Sequence, residues 1–204
     1  MPQLRNITES KQLLVEGKDV EIIFSLFIEQ LGISDIQIQD YGGVDEFPGF
    51  LEQFVLSHNF RSGNVVSLGI VRDAETSAQA AFQSICKALE MANLTSPDLP
   101  TVPKGVNPKI NILILPDAST SGMLETLLLR AVANDPVMVC IDKYFECINQ
   151  QTEYLPSPID KAKALAFLAS RQNIKPLLGH AARAGYWNFN SSIYDDVRSF
   201  LKSL

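Results

Sequence analysis

The sequence predicts an α/β fold: a doubly wound, mainly parallel four-stranded sheet with helices on both faces and a helical C-terminal third. Three observations point there. Apolar strand-like runs alternate with stretches whose apolar residues recur at helical spacing, an order that implies right-handed crossovers between parallel strands. Two of the runs break off at acidic residues and lead into helices: Leu13-Leu14-Val15-Glu16-Gly17-Lys18, and Val65 to Val71 followed by Arg72-Asp73-Ala74-Glu75. Beyond Pro116-Asp117 only helical patterns remain.

Residues 11 to 16 read as the first strand. Val20, Ile23, Phe24, Phe27, Ile28 and Leu31 then repeat on one helix face, and Gly32 stops that helix. A second strand, Ile36 to Tyr41, ends in Gly42-Gly43. The stretch from about Val44 to His58 reads as helical, with Pro48 near its start where proline is tolerated. The third strand runs from about Asn64 to Val71, and its following helix carries Ala78, Ala81, Phe82, Ile85, Cys86 and Leu89. Four prolines between Thr95 and Pro108 make a loop before the fourth strand, Lys109 to Leu115. Helices are expected near Met123 to Ala133, Val137 to Gln150, Ile159 to Ser170 and Ser192 to Leu204. Residues 1–133 then form the α/β core and 134–204 a helical extension packed on it as one compact unit. No internal repeat or low-complexity segment is present.

In such a sheet ligands collect outside the carboxyl ends of the strands, where the strand order reverses. Strands 1 and 3 are expected as neighbours at that point, with strand 2 outside strand 1 and strand 4 outside strand 3.

Composition narrows the function. The 204 residues, 46% of them hydrophobic, can bury a large core. No stretch reaches the roughly 20 apolar residues that span a bilayer, and the polar start Met1-Pro2-Gln3-Leu4-Arg5-Asn6 lacks a signal pattern, so a cytoplasmic protein with no membrane partner is expected. Cys86, Cys140 and Cys147 form no CxxC pair and lie in helical apolar patterns, which predicts reduced, buried thiols. A net charge of -6 argues against an extended duplex binder, which needs a stripe of Lys and Arg. It leaves a short or single-stranded nucleic acid, a nucleotide or a protein as partner.

If strands 1 and 3 are adjacent, Glu16, Asp73 and Glu75 converge, and carboxylates held close repel one another unless a cation or shared protons neutralise them. A divalent cation is the expected answer. Mg²⁺, or Mn²⁺ in its place, prefers hard oxygen ligands and keeps water or phosphate oxygens in its other positions. Asp73 and Glu75 would be ligands, while Glu16 would bind metal or move a proton. Gly17 would let substrate approach the backbone, and the helix opened by Lys18-Asp19 offers unpaired N–H groups to a phosphate. Lys18 would add positive charge there, and Arg72 would contact phosphate.

An apolar strand ending in Glu-Gly-Lys, followed by a later strand ending in Asp-x-Glu, resembles the Toprim domain shared by topoisomerases, bacterial primases, recombination-mediator proteins and overcoming-lysogenization-defect nucleases. Glu16 stands where that family has its first glutamate, and Asp73 with Glu75 where it has an Asp-x-Asp pair, Glu75 being one methylene longer. Pro116-Asp117 followed by Gly122-Met123-Leu124-Glu125 resembles small stand-alone Toprim-like proteins related to those nucleases. Residues 11 to about 130 carry the likeness. It implies a Toprim-like protein with an Mg²⁺ site, acting as a metal-dependent nuclease or another phosphodiester-processing enzyme, with Glu125 as a further metal ligand.

Each assignment has a plain alternative. Asp73 and Glu75 would cap the helix after strand 3, Glu125 would only complement a helix dipole, and Lys18 would be a solvated lysine. Arg72 would point to the opposite face, and Asp117 would serve the loop. His58 and His180 read as surface residues, and Trp187 with Tyr186 and Phe189 as a packing anchor. The competing function is a non-catalytic Toprim-like interaction module. A receiver-like phosphoacceptor domain would need two adjacent acids after strand 1, where this chain has one.

Overall fold

The structure, a computed structural model, describes residues 3–204. Four strands, β1 (Lys11–Val15), β2 (Ile36–Asp40), β3 (Ser67–Asp73) and β4 (Lys109–Leu115), form one sheet in the order β2-β1-β3-β4. All three pairings are parallel, in a register that sets Leu13 beside both Ile38 and Gly69, and Gly69 beside Asn111. This is the expected order, with the switch point between β1 and β3.

Around the sheet lie α1 (Lys18–Gln30), α2 (Phe47–Leu56), α3 (His58–Arg61), α4 (Ala78–Met91), α5 (Leu124–Ala131), α6 (Pro136–Gln151), α7 (Ile159–Ala169), α8 (Leu178–Arg183) and α9 (Asp195–Ser203). Side-chain parity divides them. Leu13, Val15, Val71, Leu113 and Leu115 face a cluster built with α1 and α5 to α9. Leu14, Leu68, Ile70, Ile110, Ile112 and Ile114 face a second cluster built with α2 and α4. The helices after residue 134 therefore share one apolar layer with the sheet and α1. Trp187, 4% exposed, anchors that layer and donates its indole N–H to Leu128 O at 3.1 Å.

Two glycines fix these contacts. Gly17 takes φ 86°, a backbone that L side chains avoid, and so lets β1 turn directly into α1. Gly69 presents no side chain where a Cβ would meet Leu204 at 2.8 Å and Leu13 at 2.9 Å, so the C-terminal residues lie directly on β3.

Several expectations are revised. The stretch from Val44 begins its helix only at Phe47, and α3 and α8 are short helices that the apolar pattern does not reveal. Cys86, on α4, is half-buried, and Cys140 and Cys147 are exposed because α6 buries the stripe of Met138, Ile141 and Phe145 instead. All three thiols are free. His58 and His180 are exposed. Among the described residues no helix is long and apolar enough to cross a membrane.

Candidate functional site

Glu16 is the first residue beyond β1 and Asp73 the last of β3, so the two central strands deliver both acids to the same sheet edge. Their surroundings differ because their parities differ. Glu16 follows the side of Leu14 and meets Tyr41 and Arg72, whereas Asp73 follows the side of Val71 and meets α5.

The Glu16 carboxyl is pushed up from its ordinary pKa by burial, with the negative charge of Glu75 adding to the rise. The Arg72 guanidinium and the amide of Asp73 oppose it. The Tyr41 hydroxyl lies against the carboxyl and also opposes the rise, but donates its best-formed hydrogen bond to Val71 O at 3.0 Å. Among the described residues Glu16 Oε2 is buried with no well-formed hydrogen bond.

Arg72 is 7% exposed, and its Nε also has no hydrogen-bond partner among the described residues. It lies on the α2/α4 side, as the opposite-face reading of the sequence anticipated, yet that is the side Glu16 occupies. None of the ion pairs among the described residues involves Arg72. A buried guanidinium and a buried carboxylate oxygen thus sit at one strand edge, each short of a partner.

Asp73 is raised to about 8, first by burial and then by the charges of Glu16 and Glu125. The Leu124 amide donates to its Oδ1 at 2.9 Å and favours the ionised form. Asp73 therefore caps α5. The helix after β3 has its own cap, Ser77, whose Oγ accepts from Ala80 N at 3.2 Å. Glu125, in the first turn of α5, is 7% exposed and raised by burial, with Lys161 Nζ at 3.9 Å as counter-charge.

Glu75 is exposed and has a φ of 51°. Its backbone pairs with Gly122 through N–H···O bonds of 2.7 and 2.8 Å, which clamp the loop after β3 to the loop before α5. The acids expected as ligands are thereby strung along the edge. Glu75 acts on Glu16, and Glu125 acts on Asp73. Among the described residues no three His, Cys, Asp or Glu side chains are placed to hold a metal ion together.

Lys18, expected to add positive charge for a phosphate at the start of α1, is exposed and its ammonium pairs with Glu21 at 2.6 Å. The Gly17 N–H is occupied, donating to Asp40 Oδ1 at 3.0 Å. Asp40 accepts from Gly42 N as well, at 2.9 Å, and so ties the turn after β1 to the turn after β2. Among the described residues no side chain caps the N-terminus of α1. Asp117 serves its loop: Oδ1 accepts from Ser119 and Thr120 amides at 2.8 Å, and Oδ2 pairs with Arg130 at 2.6 Å.

A family model described as a protein of unknown function (DUF3226) matches residues 10–204. The chain belongs to that family. No curated protein and no solved structure matches it.

In this DUF3226 protein, sequence reasoning overlooked Tyr41 and Asp40, although their signal was present. Both stand where the second parallel strand ends, beside Gly42-Gly43, and strand ends are where a doubly wound sheet gathers its polar groups. Asp19 was equally overlooked. It accepts from Gly179 N at 3.0 Å, fastening α8 to the start of α1, and its charge raises Glu125. A groove of about 1090 Å³ opens beside α4 and is lined by Ser77, Phe82, Leu99 and Ser119, but none of the acids discussed above lines it.

Proposed function

We propose that this is a Toprim-like protein of unknown physiological role that takes one Mg²⁺ or Mn²⁺ between Glu16 and Asp73 and processes a phosphodiester as a metal-dependent nuclease. The observation that carries the reading is the pairing of these two acids at the tips of adjacent central strands, each raised by burial, with Glu16 Oε2 buried and without a well-formed hydrogen bond. Two carboxylates are what Mg²⁺ commonly takes from a protein, the rest of its shell being water or phosphate oxygen, so the donor set fits although no third ligand stands ready. Once bound, the cation would neutralise charge on a phosphodiester and position a water.

The chain's own groups supply the rest. Glu75 and Glu125 add negative potential at either end of the pair and can hold a water of the hydrated ion. Arg72, buried and short of a partner, suits a phosphate oxygen, to which a guanidinium donates in fork geometry. The uncapped N-terminus of α1 beyond Gly17 suits the same anion.

Purified protein incubated with single-stranded and duplex DNA and RNA, with Mg²⁺ or Mn²⁺, tests this reading. Cleavage abolished by Glu16→Gln and by Asp73→Asn supports it, and cleavage that persists in both rejects the assignment. The second reading, a non-catalytic Toprim-like module working through a protein partner, is favoured by the lack of a third ligand. Cation binding weaker than millimolar together with a stable protein complex would select it.

A further inference from the structure

The two edges of the sheet are treated differently. Along β4, the chain's own segment 101–104 covers the outer side: Thr101 N donates to Ile112 O at 2.8 Å, and Lys104 and Ile110 exchange bonds of 2.9 and 2.7 Å. At the other edge β2 has β1 as its one strand neighbour among the described residues. Tyr41 N donates inward to Val15 O, and successive residues of a strand alternate, so the amides and carbonyls of Ile36, Ile38 and Asp40 face outward. No backbone hydrogen bond among the described residues reaches Ile36 or Ile38 from that side. The described N-terminal residues form no backbone pairing with it, although the Arg5 side chain passes over it to reach Glu21 of α1 at 2.7 Å. Arg5 and Thr8 bond the side chains of Gln39 and Gln37, which project on the α2/α4 face.

Beside this edge runs a groove of about 500 Å³ into which Ile22, Ile28, Ile33, Ile36 and Ile38 all reach. An open strand edge is a template for another strand, and proteins that must avoid such pairing place lysine, proline or a bulge there. The strand Ile36-Gln37-Ile38-Gln39-Asp40 has none of these.

We propose that β2 is a homodimer interface, in which β2 of a second copy adds antiparallel about a two-fold axis at Ile38 to make a continuous eight-stranded sheet. Charge selects the second copy as occupant. The chain carries a net charge of -6, which opposes self-association over most of its surface, but the groove walls are balanced, Arg5 and Arg183 against Glu21 and Glu29. Arg183 and Glu29 are both exposed and take part in none of the described ion pairs, so each is free to meet its opposite on the other protomer. Two-fold pairing sets Ile38 against Ile38 and lets the outward amides find acceptors.

Light scattering on the eluting protein over a concentration series should give twice the chain mass. Ile38→Arg, which sets like charges face to face at the axis, should weaken the dimer at least about tenfold. A monomer at every concentration overturns the proposal, and so does a dimer that Ile38→Arg leaves unchanged. Hydrogen exchange on the wild-type chain provides a test independent of any variant: the amides of Ile36, Ile38 and Asp40 should exchange more slowly at high protein concentration than at low. Equal exchange at both concentrations overturns it.

Discussion

The carboxylate of Asp73 accepts the Leu124 amide at 2.9 Å, so the tip of β3 caps the helix that follows the neighbouring strand. The acid at the centre of the proposed site is thus also a joint between sheet and helix. Its burial costs the ionised form more than this hydrogen bond returns, because its pKa stands at about 8.

A pH dependence of stability follows. The folded chain binds more protons than the unfolded chain between the ordinary aspartate value, about 4, and about 8. Stability therefore falls as pH rises through that window and levels off above it. In chelator, melting temperature followed by circular dichroism should decline from pH 5 to pH 8.5. Asp73→Asn should flatten the decline and melt higher at pH 8.5, by about 2–4 °C for each kcal/mol relieved.

Asp117 behaves in the opposite sense. Partial burial is outweighed by hydrogen bonds from Thr120, Arg130 and Ser119, which hold its carboxyl below the usual carboxylate range. Its contribution is present above the unfolded value of about 4 and is lost as pH falls below it. Asp117→Ala should cost about 1–3 kcal/mol in urea unfolding at pH 7. At pH 3 the cost should be smaller.

The C-terminal helices should be inseparable from the sheet. Gly69→Ala forces a methyl against Leu204, Leu13 and Phe200, all within 3.0 Å of its position, and should cost about 1–3 kcal/mol. A single cooperative transition with a lowered denaturant midpoint is the expected result. A separate transition for residues beyond 134 would contradict it.

Much of the fold was legible because its signals are local. Val20 to Leu31 and Ala78 to Leu89 show helical periodicity, and Lys109 to Leu115 reads as a strand with the same bounds the structure gives. Strand order followed from placing Glu16 and Asp73 at one switch point. What stayed hidden depends on tertiary contact. The helix α8 is short and held by Asp19, a partner 160 positions away in sequence. Cys140 and Cys147 share a helix whose buried stripe is chosen by its packing on α7, which periodicity over so mixed a segment does not settle. At the site, the positions of Glu16 and Asp73 could be read. The division of their side chains between two faces of the sheet follows from strand parity and appears once the exact strand ends are known. The pairing of Lys18 with Glu21 was open to a surface reading from the start.

Arg72 supplies a further test. Arg72 is buried with its Nε unpartnered, and taking a charge out of water costs free energy, so Arg72→Met should leave stability at pH 5 unchanged or raised. At pH 8 the variant should be less stable than at pH 5 by a wider margin than the wild type, because Glu16 loses the positive neighbour that opposes its rise. Paired urea titrations at the two pH values read this directly.

The most direct test is a Mn²⁺ titration followed by electron paramagnetic resonance, on the wild type and on Glu16→Gln and Asp73→Asn shown to be folded. Occupancy of one ion in the wild type, lost in both variants, is the predicted result. No bound Mn²⁺ at millimolar concentration, or equal occupancy in all three proteins, would contradict a cation site at the tips of β1 and β3.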